Sequence, residues 1–142
     1  MRESIGASFV VYAIVIFVAV FSLFFIMGLN YTKAFKMKNR IIDIIEENEC
    51  YEGGDCTSKA EIQKALNSGG YRMKGGKPDC DHYMKGRNGE VTSSENHYCV
   101  YKVTTSRGDY YGAVTFMYFE IPLFNIHKEY PVYGETKVMG KF

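Results

Sequence analysis

Cys80-Asp81-His82 and His97-Tyr98-Cys99 set two cysteines and two histidines in a C-x-H…H-x-C arrangement. Thiolate and imidazole together are a zinc ligand set. The spacing is poor for it. Structural zinc knuckles place their ligands about two to four residues apart, and in a strand residues i and i+2 lie about 6.6 Å apart. The competing chemistry is covalent. Cys50, Cys56, Cys80 and Cys99 are an even set in a region rich in Gly and Tyr, the composition of a small oxidised module. Cys50 and Cys56 flank the loop YEGGD, and Cys80 with Cys99 would close a longer loop onto a strand. The expected pairing is therefore Cys50–Cys56 and Cys80–Cys99, with His82 and His97 on the surface and no metal. A Cys99–His97 nucleophile pair is the catalytic alternative, but no nucleophile elbow, phosphate-binding Gly-rich loop or H-E-x-x-H motif accompanies it. The chain is read as a non-enzyme without cofactor or small-molecule substrate. Arg107-Gly108-Asp109 spells an adhesive tripeptide, yet Gly and Asp are also what a tight turn requires.

The elements that position these residues begin with an apolar run. The chain has 142 residues, a net charge of +1 and 46% apolar residues. That balance gives no electrostatic case for nucleic acid. From Ile5 to Leu29 there is no Asp, Glu, Lys or Arg. At about 1.5 Å per residue the run reaches roughly 37 Å, enough to cross a hydrocarbon core of about 30 Å with some tilt. A cleaved signal peptide has a shorter apolar region and a small-residue cleavage site, whereas Phe24, Phe25, Ile26 and Met27 close this one. Residues 1–29 are thus read as a retained transmembrane anchor, all-round apolar. Lys33, Lys36, Lys38 and Arg40 follow it, and by the positive-inside rule would hold the C-terminal part in the cytoplasm. The cysteines argue for an oxidising compartment, so the expected topology is single-pass with the C-terminal part outside.

Residues 30–48 continue without Gly or Pro, and Tyr31, Ala34, Phe35, Ile41, Ile42 and Ile45 recur at helical steps, interrupted by Lys38. One helix from Ile5 to Asn48 is predicted, with a bend at Gly28. Residues 49–142 form the head. Ser58 to Glu61 fits a capping box opening a helix over Lys59 to Asn67, closed by Gly69-Gly70. Residues 75–96 lack periodicity and read as loop. Tyr98–Thr105, Tyr110–Ile121 and Pro131–Met139 read as strands of an antiparallel meander, with a turn at Ser106–Asp109 and Pro122 ending the second strand. The fold class is α+β: a long N-terminal helix, transmembrane and then amphipathic, packed on a small antiparallel sheet.

This pattern resembles type IV pilins and pseudopilins, and within them is most similar to TadE-like minor pilins of tight-adherence systems. The matching segments are GASFVVYAIVIFVAVF, YTKAFKMKNRIIDIIE and FEIPLFNIHKEYPVYGETKV. The resemblance implies a membrane-anchored, extracellular subunit that self-associates or joins other pilin-like subunits through its apolar helix. Phe9, Val10, Phe17, Phe21 and Phe24 would be its packing residues. Pilins carry a Glu just inside the apolar helix that pairs with a neighbour's N-terminal amine. Here the early carboxylate is Glu3, ahead of Gly6, and the pairing role falls to it. The alternative is a monomeric single-pass protein whose head is a binding or adhesion module.

Overall fold

The structure, a computed structural model, describes residues 2–51, 53–69, 79–83, 90–95, 98–121 and 125–140. Gly70, His97 and Pro122 lie outside these. Helix α1 runs unbroken from Arg2 to Asn48. Gly28 does not interrupt it: the Gly28 carbonyl accepts a hydrogen bond from the Thr32 hydroxyl at 2.8 Å. Glu49, with φ of 52°, takes the left-handed position that ends a helix. Helix α2 spans Ser58–Ser68, and a single turn, α3, spans Cys80–Tyr83. The strands are β1 (Glu90–Glu95), β2 (Tyr98–Thr105), β3 (Gly108–Ile121), β4 (Ile126–Glu135) and β5 (Met139–Gly140). They form one antiparallel sheet in the order β1-β2-β3-β4, with β5 also on β3.

The sheet lies against the second half of α1. Met37, Ile41, Ile44 and Ile45 of α1 form the main core with Ile62 and Leu66 of α2, Tyr51, Tyr98, Val100 and Ala113. Nearer the N-terminus, Ala34 packs on Met117 and Val132. There the Thr115 hydroxyl donates to the Ala34 carbonyl at 2.9 Å. A helix surface with an apolar stripe and a sheet with an apolar face thus bury each other, as neither could remain folded alone. The opposite face of the sheet carries Cys99, Tyr101, Val114 and Phe116, clustered with Cys80 of α3.

Four expectations are corrected. The buried stripe of α1 is Ala34, Met37, Lys38, Ile41, Ile44 and Ile45. Tyr31 and Phe35 are exposed and stack on each other with ring centroids 6.2 Å apart. Lys38, expected to interrupt the stripe, is 9% exposed. Its stem lies against Gly134 and its ammonium sits 4.1 Å from the Phe35 ring centroid, so an amphipathic side chain covers apolar surface while its charge rests on a ring.

The capping box over Ser58–Glu61 does not form. The N-cap is Thr57, whose hydroxyl donates to Glu61 Oε1 at 2.9 Å. Ser58 is buried, and its hydroxyl donates to the Cys50 carbonyl at 2.7 Å.

The stretch read as loop holds α3 and β1. Residues Glu90–Glu95 pair with Tyr98–Lys102 across a bulge between Val91 and Ser93. This edge strand has the polar sequence EVTSSE, and backbone pairing rather than apolar alternation makes it a strand.

The last strand starts at Ile126, not Pro131, and stops at Glu135. Pro131 is accommodated because β4 is an edge. Just beyond Glu135 the Thr136 N–H still donates to the Tyr111 carbonyl at 2.7 Å, while the Thr136 hydroxyl accepts the Tyr111 N–H at 3.0 Å and Glu46 Oε1 accepts the Lys137 N–H at 2.8 Å. Pairing with β3 resumes at Met139.

Ile41→Ala is expected to cost about 2–5 kcal/mol by leaving a cavity in the helix–sheet core. Tyr31→Ala should stay within about 0.5 kcal/mol, as a surface change does. Urea unfolding of the detergent-solubilised chain, followed by near-UV circular dichroism, checks both.

Candidate functional site

Two surfaces carry the chemistry this chain can offer. The first is the N-terminal half of α1. Residues 3–22 are exposed throughout, and the most apolar 18-residue window has none of its surface buried. The helix is long and apolar enough to cross a membrane. Two of its hydroxyls bond back to the helix: Ser8 donates to the Ser4 carbonyl at 3.1 Å and Ser22 to the Val18 carbonyl at 2.8 Å. Serine hydroxyls tied back in this way are compatible with a medium that offers no hydrogen bonds.

The residues expected to pack are all on this surface. Phe9, Val10, Phe17, Phe21 and Phe24 are exposed, Phe17 at 70%. Val10, Phe17, Phe21 and Phe24 recur at helical steps along one stripe, and the Phe17 and Phe21 rings stack at 6.4 Å. Sequence reasoning missed a notch further along the same stripe. Gly28 opens this space of about 370 Å³, walled by Phe21, Phe24, Phe25, Leu29 and Thr32. A methyl group on Gly28 would meet nothing within 4 Å, so the fold of a single chain does not require glycine there. The signal was a lone small residue in a run of bulky ones. Glu3 stands exposed in the first turn of α1, separated from the head by the whole apolar run.

The second surface is the disulfide-locked head. Cys50 is bonded to Cys56, with Cα atoms 6.1 Å apart, and Cys80 to Cys99, with Cα atoms 5.7 Å apart. The Cys80–Cys99 bond removes both thiolates from the C-x-H…H-x-C arrangement; His82 is exposed on α3. Among the described residues no group of three or more His, Cys, Asp or Glu is placed to hold a metal ion. Each bond pins a different layer. The Cys50–Cys56 loop delivers Tyr51 into the core, where its hydroxyl shares a 3.1 Å hydrogen bond with that of Tyr98. The Cys80–Cys99 bond holds α3 on the outer face of the sheet.

The Arg107-Gly108-Asp109 tripeptide is not displayed as a loop. Gly108 and Asp109 already belong to β3, and Asp109 Oδ2 pairs with Lys102 Nζ at 2.9 Å. Gly108 has φ of 146°, and a Cβ there would strike the Met139 carbonyl. Both residues therefore serve the β2–β3 turn. A shallow groove between α1 and α2 is lined by Lys33, Lys36, Arg40 and Lys64, with Glu61 at its side.

Comparison with family models, with characterised proteins and with solved structures returns no match for this chain.

Joint replacement of Cys80 and Cys99 by Ala should destabilise the head by about 3 kcal/mol, since the bond closes a separation of 19 residues. Joint replacement of Cys50 and Cys56, separated by 6 residues, should cost about 2 kcal/mol. Urea midpoints of the two double variants against the parent chain test the order.

Proposed function

We propose that this chain is a membrane-anchored, extracytoplasmic structural subunit of pilin-like type, which self-associates or joins similar subunits through its apolar N-terminal helix. The observation that supports it most is the change of character along α1. One continuous helix is exposed on all sides from Glu3 to Ser22, then comes under the sheet, which buries Ala34, Met37, Ile41, Ile44 and Ile45 along one face. Such a helix is at home in lipid as a monomer. The same surface loses nothing by exchanging lipid for identical helices, because both are apolar. Transfer between bilayer and assembly is then nearly neutral in burial, and close packing decides it. In this reading the Phe17–Phe21–Phe24 ridge of one copy is matched to the Gly28 notch of another. The two disulfides favour an oxidising location for the head.

A second reading has one specific observation behind it. The cationic groove of Lys33, Lys36, Arg40 and Lys64 suits a monomeric, stalk-mounted head that binds an anionic polymer.

One measurement tests the topology both readings share, and a second separates them. Intact cells expressing the full chain should react with a membrane-impermeant maleimide only after mild reduction. Reaction after lysis alone, without reductant, would place the head in the cytoplasm and end the pilin-like reading. A photo-reactive residue substituted at Phe17 should cross-link copies to one another within the membrane, and Gly28→Leu should sharply reduce that yield. Absence of any copy-to-copy product at Phe17 and Phe24 would favour the monomeric binding module.

A further inference from the structure

Charge is sorted along the second half of α1. Residues 30–40 hold Lys33, Lys36, Lys38 and Arg40 and no acid, and residues 41–49 hold Asp43, Glu46, Glu47 and Glu49 and no base. The helix itself gives no reason for this order. Its macrodipole favours cations in the last turn, and that turn carries no basic residue. Opposite signs three and four residues apart would also serve the helix better than blocks of one sign. Lys38 is accounted for by its packing against Gly134 and Phe35. The other three cations are not.

Those three meet α2 across a groove. One part of it, about 290 Å³, is lined by Lys33, Lys36, Met37, Arg40 and the Gly69 end of α2. The adjoining part, about 400 Å³, shares Arg40 and adds Lys64 and Glu61. Gly69 lets α2 close on α1 here, since a Cβ on it would come within 2.7 Å of Met37 Cε. All four cations are exposed. Among the described residues no ion pair joins any of them to a carboxylate. The opposing charge is small. Glu61 faces the groove, but its Oε1 already accepts the Thr57 hydroxyl at 2.9 Å. The C-terminal end of α2 supplies about half a negative charge. Asp43 and Glu47 continue the row of Lys36 and Arg40, further from the apolar run. The groove keeps a clear positive excess.

We propose that this groove holds the phosphate of an anionic glycerophospholipid headgroup, in the leaflet from which α1 emerges. The inference rests on the membrane-anchored reading above, whichever side of the membrane the head occupies. The source is lipid because of level. Lys33 and Lys36 lie four and seven residues past Leu29, or about 6 and 10 Å along the axis. The headgroup layer is about 5–8 Å thick on each side of the hydrocarbon core. Helical side chains lean toward the helix N-terminus, which here is the membrane. The long stems of Lys36 and Arg40 thus carry their charges down toward that layer. A soluble anionic polymer would meet the same charges but gain nothing from their place at the foot of the head. A headgroup held between α1 and α2 favours the bilayer over an assembly of helices. It therefore opposes a transfer that is otherwise nearly neutral in burial.

The full chain is reconstituted in phosphatidylcholine vesicles holding a trace of spin-labelled phosphatidylglycerol or of spin-labelled phosphatidylcholine. The motionally restricted fraction of each label gives their relative affinity for the protein. The parent chain should prefer phosphatidylglycerol by about fivefold or more, roughly the effect of one cation near an anionic surface. Lys33→Gln together with Lys36→Gln should bring the ratio close to one. Arg107→Gln together with Lys137→Gln removes the same charge from exposed positions elsewhere on the head and should leave the ratio unchanged. An equal ratio in all three chains, or an equal loss in both double variants, overturns the headgroup site. Loss of the preference in inorganic phosphate, but not in sodium chloride of the same ionic strength, overturns the lipid source and assigns the groove to free phosphate. Binding of soluble dextran sulfate that depends on Lys33 and Lys36, with no preference for phosphatidylglycerol, overturns it in favour of a polymer. No restricted component from either label overturns the membrane reading itself. Arg40→Gln with Lys64→Gln repeats the readout should the first pair fail to form both disulfides.

Discussion

The main core of the head depends on one stripe of α1, the residues Ala34, Met37, Ile41, Ile44 and Ile45. An amphipathic helix of this length is marginal in water by its own propensity. A sheet of a few short strands is equally marginal until one face is covered. Here the two deficits cancel, because Tyr98, Val100 and Ala113 of the sheet and Ile62 and Leu66 of α2 close over the same stripe. The buried hydrogen bond between sheet and helix, Thr115 to the Ala34 carbonyl, fixes their relative register. A one-residue slip of β3 against its neighbouring strands would break that bond and exchange its two faces. The Cys50–Cys56 bond closes the loop that brings Tyr51 onto this stripe, and the Cys80–Cys99 bond holds α3 on the other face of the sheet.

The same helix then has to satisfy two environments. From Glu3 to Ser22 its surface is exposed, and the Ser8 and Ser22 hydroxyls are tied back to its own carbonyls. From Ala34 it is covered on one side and charged on the others. The boundary is not sharp, because Phe119 reaches back to the level of Leu23 and Met27. The head thus overlaps the apolar run instead of sitting above it. That overlap puts Phe119 in the same surroundings as Phe24 and Met27.

The parts of this fold that were legible in the sequence are those in which local chemistry and burial agree. Tyr98–Thr105 is β-branched and aromatic, and it is a strand over those residues. The apolar run Ile5–Leu29 lies in one helix. Misreadings arose where burial and chemistry part company. Tyr31 and Phe35 look like core residues by spacing, yet they satisfy each other in the open. Lys38 looks like surface, yet its stem fills the space beside Gly134, where any larger residue would strike it. Ser58 looks like a cap, yet tertiary structure takes its hydroxyl for the Cys50 carbonyl. Strand β1 had no apolar signal because an edge strand is recruited by its neighbour's backbone. The ridge of Phe17, Phe21 and Phe24 was legible as a stripe; the notch at Gly28 was not, since a glycine in a helix reads first as a weak point.

Lys33, Lys36, Lys38 and Arg40 bear on the orientation of the chain. Counted as bare charges after an apolar run, they favour a cytoplasmic head. The fold gives at least one of them another reason to be there. Lys38 is packed between Phe35 and Gly134, and Lys33, Lys36 and Arg40 face α2 across a groove that also carries Glu61. A cation whose position is set by packing carries less topological information than one in a free juxtamembrane segment, because selection for folding retains it in either orientation. The cysteines have no such double reading. Both pairs are bonded, and two of the four cysteines, Cys80 and Cys99, are buried in the cluster on the outer face of the sheet. A reducing compartment would leave that cluster without its cross-link. The balance of the two signals therefore moves toward an oxidising side for the head, for reasons internal to the fold.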